Sequence, residues 1–325
     1  MYIVIENYKC PNMRIENNKI TMTTKNYGHV VAIGINATLK SSNMTILNNI
    51  IEYKWSAQWD SGTITKTPMK LVQTAFLSDV YMEGNTLKGP AAAGGGGTAM
   101  PRSVGVLGAY GSTVTMVNNK FSGLDAMVFR DFCTASVSKV TVTTIPNVGI
   151  QVLGGASVVV RDSSISGTSR GMEVVRSTVA VYDSTLSNPI EFVLDKASSV
   201  NLYNTRHTKG AAQLLDMDSF FNVSWSIRLT VQWQNELPVD GAEVIIKDMQ
   251  NNVVFLGKTN ETGMPADMMW IKEFTGHNQV LTKLTPHRVY VTKARVSAMD
   301  LFMTDGPLSI TFRLVDNSPP DMQLL

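Results

Sequence analysis

One short phrase recurs along the first two thirds of the chain and limits the folds open to it. Residues 114–123 read VTMVNNKFSG, and close variants are MRIENNKI ending at Ile20, MTILNNII at Ile51 and VYMEGNTL at Leu87. VVVRDSSISG at Gly167, VAVYDSTLSN at Asn188 and VNLYNTRHTKG at Gly210 continue the series. Each variant alternates apolar and polar positions, passes a small polar pair, then returns to an apolar residue, which is the pattern of strand, tight bend and strand. The bends align at Asn17, Asn48, Gly84, Asn118, a position near Thr143, Asp162, Asp183 and Asn204. The last two intervals are 21 residues each. A strand-rich repeat of that length predicts a β-solenoid of about eight coils over residues 1–222, each coil burying its apolar face on the next. Asn and Asp suit the bends because they tolerate left-handed backbone and can hydrogen-bond from coil to coil.

The first intervals are longer, at 31, 36 and 34 residues, and the extra residues enter just after the bend. Insertions at one offset emerge along one edge of a solenoid as a wall of loops. The second insertion carries Tyr53, Trp55, Trp59 and Asp60 and the third carries GPAAAGGGG and Arg102, while His29 and Asn36 belong to the first. Aromatic rings on a polar loop suit a sugar face or a protein partner, so Tyr53, Trp55, Trp59, Asp60 and Arg102 are the candidate ligand-binding residues; the rings can equally fold down as a small satellite core that holds the loops together.

After AAQLLDMDSFF the text changes to longer alternating strands. SWSIRLTVQW opens them, Asp240-Gly241 and Thr262-Gly263 supply bends, and VYVTKARV and LSITFRLV close the run. About seven strands in residues 223–325 predict an immunoglobulin-like β-sandwich. The fold class expected is therefore all-β, a right-handed parallel β-helix solenoid with a C-terminal β-sandwich domain.

Residues 1 to about 222 resemble the right-handed parallel β-helix of the pectin-lyase-like superfamily, on coil length, Asn/Asp bends and short strands. Residues from about 223 to 318 resemble the carboxypeptidase regulatory-like sandwich, on Pro238-Val239-Asp240-Gly241-Ala242 and Lys258-Thr259-Asn260-Glu261-Thr262-Gly263. The first resemblance implies polysaccharide lyases and hydrolases, tail spikes, adhesins or surface-layer components. The second implies an accessory or spacer module.

Composition narrows this further. Charged residues are 17% of the 325 and the net charge is +2, so no strong field favours nucleic acid. No run of eighteen apolar residues appears and no signal-like segment opens the chain, so no membrane span is expected. The opening MYIVIENYKC already reads as strand, which suggests a fragment of a larger extracellular or cell-surface protein. Cys10 and Cys133 fall about four coils apart, too far for a disulfide, so both are expected as free, buried thiols.

The lyases that the resemblance implies use calcium-holding aspartates with an Arg or Lys base, and the hydrolases use paired aspartates. Gly28-His29-Val30 is only a fragment of a hydrolase motif, and no Asp-Asp pair occurs. The weak catalytic candidates are Asp125, Arg130 and Asp131, with both aspartates on one face of a coil and Arg130 opposite; an ordinary ion pair explains them as well. Asp216 and Asp218 are the weak metal candidates, with calcium the cation that would suit them; otherwise no cofactor is expected. His29, His207, His277 and His287 form no ligand spacing. The leading expectation is a non-catalytic extracellular module that is structural or adhesive and binds polysaccharide or a surface protein. The alternative is a polysaccharide lyase or glycoside hydrolase acting along the β-helix, and the third is a viral or phage spike component.

Overall fold

The computed structural model describes residues 2–7, 12–24, 30–36, 43–55, 69–75, 77–89, 103–123, 125–143, 148–167, 169–208 and 212–315. The chain divides into two compact units. The first comprises residues 1–201, 205–221 and 277–280, and the second residues 202–204, 222–276 and 281–325.

The first unit is a parallel β-helix. Its strands fall in turn on three sheets, so that every third strand of the chain pairs with the same neighbours. The first face runs from Tyr2–Asn7 through Asp125–Phe129 and Val148–Leu153 to Ala212–Leu214. The second begins at Met13–Glu16 and the third spans Lys19–Thr24 to Thr185–Ser187. Pairing in register stacks like on like. On the second face Val80, Val114, Ala135, Val158 and Val179 form one inward file, and Met82, Met116, Val137, Val160 and Val181 another. All ten are buried. Burying each such side chain is worth roughly 1.5–3 kcal/mol, and the period-2 alternation of the repeat is what aims them inward.

The bends between second and third faces divide their labour. Asn17, Asn48, Gly84, Asn118, Asp162, Asp183 and Asn204 all have left-handed φ between 47° and 66°, as the repeat implies. The bend expected near Thr143 is instead Lys139, with φ 52°, and Thr143 closes the third-face strand Thr141–Thr143. Lys139 carries no small polar signature, which is why the repeat concealed it. The ladder, moreover, is built by the next residue and not by the bend residue itself. Asn18, Asn49, Asn85 and Asn119 pass hydrogen bonds from coil to coil at 2.9–3.2 Å, and the last three of them are buried. Ser163 and Ser184 continue the file by accepting from the backbone N–H of Val140 and Ser163, both at 3.0 Å.

The corner between first and second faces has a similar file in Ser177, Ser198 and Ser219. Cys133 occupies this file as a free, buried thiol. Burial pushes its pKa up to about 11 against a hydrogen bond from Ser112. Cys10 lies outside the described residues.

In the second unit, Val253–Lys258, Glu243–Lys247, His287–Lys293 and Val296–Phe302 form a four-stranded antiparallel sheet in that order. Phe220–Trp233, in which the chain passes from one unit to the other, pairs with Leu308–Leu314 in parallel and neighbours Met269–His277. One core draws on both sheets, with Val244, Ile246, Val289 and Val291 from the first and Ile227, Leu229, Val231, Ile271 and Phe312 from the second. The bends expected at Gly241 and Gly263 have φ 65° and 75°.

Candidate functional site

The structure disperses most of the residues singled out in the sequence. Tyr53 is 1% exposed. It stands in the third-face strand Ile50–Trp55, aligned with Met22, and its parity with buried Ile51 directs it to the core. It is therefore a packing residue and not part of a binding wall. Trp55 ends that strand, while Trp59, Asp60 and Arg102 lie outside the described residues. The described strands before them, Ile50–Trp55 and Thr86–Lys88, are on the third face, and those after them, Met69–Ala75 and Ser103–Gly108, are on the first.

Asp125 opens the first-face strand Asp125–Phe129, and Arg130 and Asp131 lie beyond its end. Asp131 has φ 54°, so regular alternation stops before it. The expected arrangement, with both aspartates on one face and Arg130 opposite, is thus replaced. The aspartates sit at opposite ends of a strand, roughly 16–20 Å of extended chain apart. The guanidinium of Arg130 lies 3.2 Å from the carboxylate of its own neighbour Asp131.

Asp216 does not present an open ligand either. One oxygen accepts the N–H groups of Asp218 at 3.1 Å and Ser219 at 2.7 Å, and the other accepts that of Ala197 at 2.9 Å. Burial pushes its pKa upward, but the donors from Ser219, Ala197 and Asp218 outweigh it and hold the carboxyl below its ordinary value. Asp218 is exposed, and among the described residues no three His, Cys, Asp or Glu side chains are grouped to hold a metal. His207 lies 3.3 Å from the Thr205 carbonyl, His277 stacks on Phe220 and His287 on Phe302, while His29 lies outside the described residues.

What the sheets do bring together is a row on the outside of the first face. Gln73, Leu107, Val128, Gln151, Glu173, Val193 and Gln213 pair in sequence, one from each coil. Their neighbours Val72, Val106, Met127, Ile150, Met172 and Phe192 fill the core, so alternation turns the row away from it, although Leu107, Val128 and Val193 are themselves buried. Leu107 and Val128 join Val104 and Leu153 in a small apolar cluster of their own. On one side of it, Lys70 donates to Gln73 at 3.1 Å. Burial lowers the pKa of Lys70 and the positive charge of Arg130 adds to the shift. On the other side, the Gln151 amide donates to Glu173 at 3.1 Å, with Arg170 3.9 Å from the same carboxylate.

Two residues from Glu173's partner Val193 stands Glu191, which is fully buried. One carboxylate oxygen accepts the Thr208 N–H at 2.8 Å and the other has no hydrogen-bond partner among the described residues. Burial raises its pKa against the hydrogen bonds from Thr208 and Asn188. Neither Glu173 nor Glu191 carried a sequence signal, since each is a lone glutamate in ordinary strand text and only register sets them on neighbouring strands.

No family model matches the chain, and no curated protein matches it. Two solved structures align with it. The enzymatically active domain of tailspike protein 2 from Bacteriophage CBA120 is 8% identical, with a TM-score of 0.32 over 92% of this chain and 70% of that one. ORF18 of Geobacillus virus E2 is 9% identical, with a TM-score of 0.19 over 86% of this chain and 71% of that one. Likenesses at this level leave the function to be argued from the chain's own residues.

Proposed function

We propose that the chain is a binding module displayed outside a cell or on a virion, and that its β-helix holds a linear polysaccharide. The observation that carries this reading is the first-face row, in which Gln73, Gln151, Glu173 and Gln213 fall on one line of register with Lys70 and Arg170 beside them. Coils stack about 4.8 Å apart, so such a row repeats along the solenoid as a sugar chain repeats along its own axis. In the sequence, Trp59, Asp60 and Arg102 fall between third-face and first-face strands. The resemblances of the two parts to the pectin-lyase-like superfamily and to a carboxypeptidase regulatory-like accessory module agree with a surface role. The test is a polysaccharide array with and without calcium on the wild type, Gln151→Ala/Glu173→Ala and Trp55→Ala/Trp59→Ala. Binding by the wild type that falls in the first-face variant supports the reading, and silence across the array overturns it.

A second reading, a glycoside hydrolase, is favoured by the two glutamates. Glu191 and Glu173, the latter bonded by Gln151 and facing Arg170, stand on neighbouring strands, and a pair of carboxyls is what such an enzyme uses. Glu191 would then be the acid and Glu173 the base. New reducing ends released by the wild type and not by Glu191→Gln would establish it. Array ligands recovered intact would exclude it.

A further inference from the structure

The four-stranded sheet of the second unit is apolar on both sides. Its inward side supplies Val244, Ile246, Val289 and Val291 to the core. Cross-strand register lays the alternate residues out in three rows on the other side. The middle row runs Leu256, Ile245, Tyr290 and Met299, one from each strand, with no charged residue among them. Leu256 and Met299 are 63% and 61% exposed, while Ile245 and Tyr290 are half-buried. Val253 and Leu301, both exposed, stand at the two ends of one flanking row. A sheet face turned to water is ordinarily polar, and single apolar residues on it need no explanation. A continuous stripe across all four strands marks a face that is covered by a partner.

The flanking rows carry the charges. One contains Lys258, Glu243 and Thr292, and the other places Lys247 and Arg288 between Val253 and Leu301. Glu243 and Lys247 lie on the same strand, two residues to either side of Ile245. Neither is in an ion pair among the described residues. The ammonium of Lys247 stands over the Tyr290 ring, 5.7 Å from its centroid, and Arg288 donates to the Asn251 side chain at 3.2 Å.

We infer that the partner is a second copy of the chain, and that two copies associate through this face about a two-fold axis along the stripe. Such an axis lays each member of the stripe on its own counterpart and brings Glu243 of each copy onto Lys247 of the other. Lys258 and Arg288 then fall opposite Val253 and Thr292, so no two cations oppose each other. The other two-fold axis available to the face, along the strands, would set Lys247 against Arg288 twice. Strand directions are reversed across the interface, which keeps the sheets within the aligned class of face-to-face packing. The face measures roughly 19 Å across its four strands and about 20 Å along them. Two such faces make an interface at the low end of specific sizes, so association belongs in the micromolar range. The inference is independent of what the β-helix binds.

The test is sedimentation velocity of the full chain across the micromolar range. The variants are Leu256→Ser/Met299→Ser, Glu243→Lys and Lys247→Glu. All four positions face away from the core, so the variants should fold, and circular dichroism checks that they do. The wild type should pass from one copy to two as concentration rises, and Leu256→Ser/Met299→Ser should weaken this roughly tenfold or more. Glu243→Lys and Lys247→Glu should each weaken it alone. Mixed in equal amounts they should restore it, because every charge in the mixed dimer then meets its opposite. A wild type that stays monomeric overturns the inference, as does an assembly of unchanged strength in Leu256→Ser/Met299→Ser. A mixture no stronger than its components overturns the orientation. Dimers that form only after removal of residues 316–325 would overturn it in favour of that segment as the cover of the face.

Discussion

The side-chain amide of Asn85 donates to Oδ1 of Asn119 at 2.9 Å, and the backbone N–H of Asn85 reaches the same oxygen at 3.0 Å. The relationship is repeated one coil earlier, where Asn49 makes the same two bonds to Asn85 at 3.1 and 2.9 Å. Asn85 also donates to the carbonyl of Ile46 at 2.8 Å. Asn85→Ala would strand the buried N–H of Asn49 and leave a gap in the file. Roughly 1–3 kcal/mol per orphaned buried group leads to an expected loss of about 3 kcal/mol. Asn118→Gly, at the bend and outside the ladder, should change stability by less than about 1 kcal/mol. Urea unfolding of both variants gives the comparison, and equal losses would mean that the bend residue carries the ladder after all.

Phe132, 76% exposed with a left-handed φ of 64°, makes a prediction of opposite sign. A left-handed residue with a side chain costs about 1–2 kcal/mol, against about 0.5–1 kcal/mol for the backbone freedom glycine brings. Phe132→Gly should therefore leave the melting temperature unchanged or slightly higher, although it removes a ring that touches Gly155. A clear loss of stability would show that the ring packs for the fold.

The two units should respond to acid in opposite directions. His287 is buried in the second unit, and neither ring nitrogen has a hydrogen-bond partner among the described residues. Burial lowers its pKa to about 4, against the pull of Asp248. The unfolded chain, with an ordinary pKa near 6.5, then binds more protons between those values, so the second unit loses up to about 3 kcal/mol as pH falls from 6.5 to 4. Glu191 in the first unit has its pKa raised, and its contribution is present in acid and lost as pH climbs past the ordinary glutamate value through the folded one. Calorimetry across pH 4–7 should show the two transitions moving apart, with His287→Gln flattening one and Glu191→Gln the other. Parallel shifts in both variants would contradict the assignment.

Cys133 should be nearly inert. A buried thiol with a pKa near 11 holds little thiolate at pH 8. Alkylation should be slow in the native protein and fast in urea. Rapid native modification of Cys133, located by mass spectrometry, would show that the corner opens.

The repeat made the β-helix legible because alternation and bends are local: Val114 and Met116 announce their direction within five residues. The same locality misled where chemistry was concerned. Tyr53 looked like part of an aromatic loop, yet it is the second inward residue of a strand whose length the sequence did not mark. Asp125 and Asp131 looked like a pair because they are close in sequence, but a strand end and a left-handed turn lie between them. The first-face row could not be read at all. Its members are 20–34 residues apart, and only the register of one sheet sets them in line.

The central claim is that the β-helix holds an extended polymer, and the most direct measurement is affinity against chain length for oligosaccharides of any polymer the wild type retains. The account requires affinity to rise with each added sugar until the oligomer spans the coils that present the row, then to level off. Affinity that is complete at a disaccharide, or absent at every length, would contradict it.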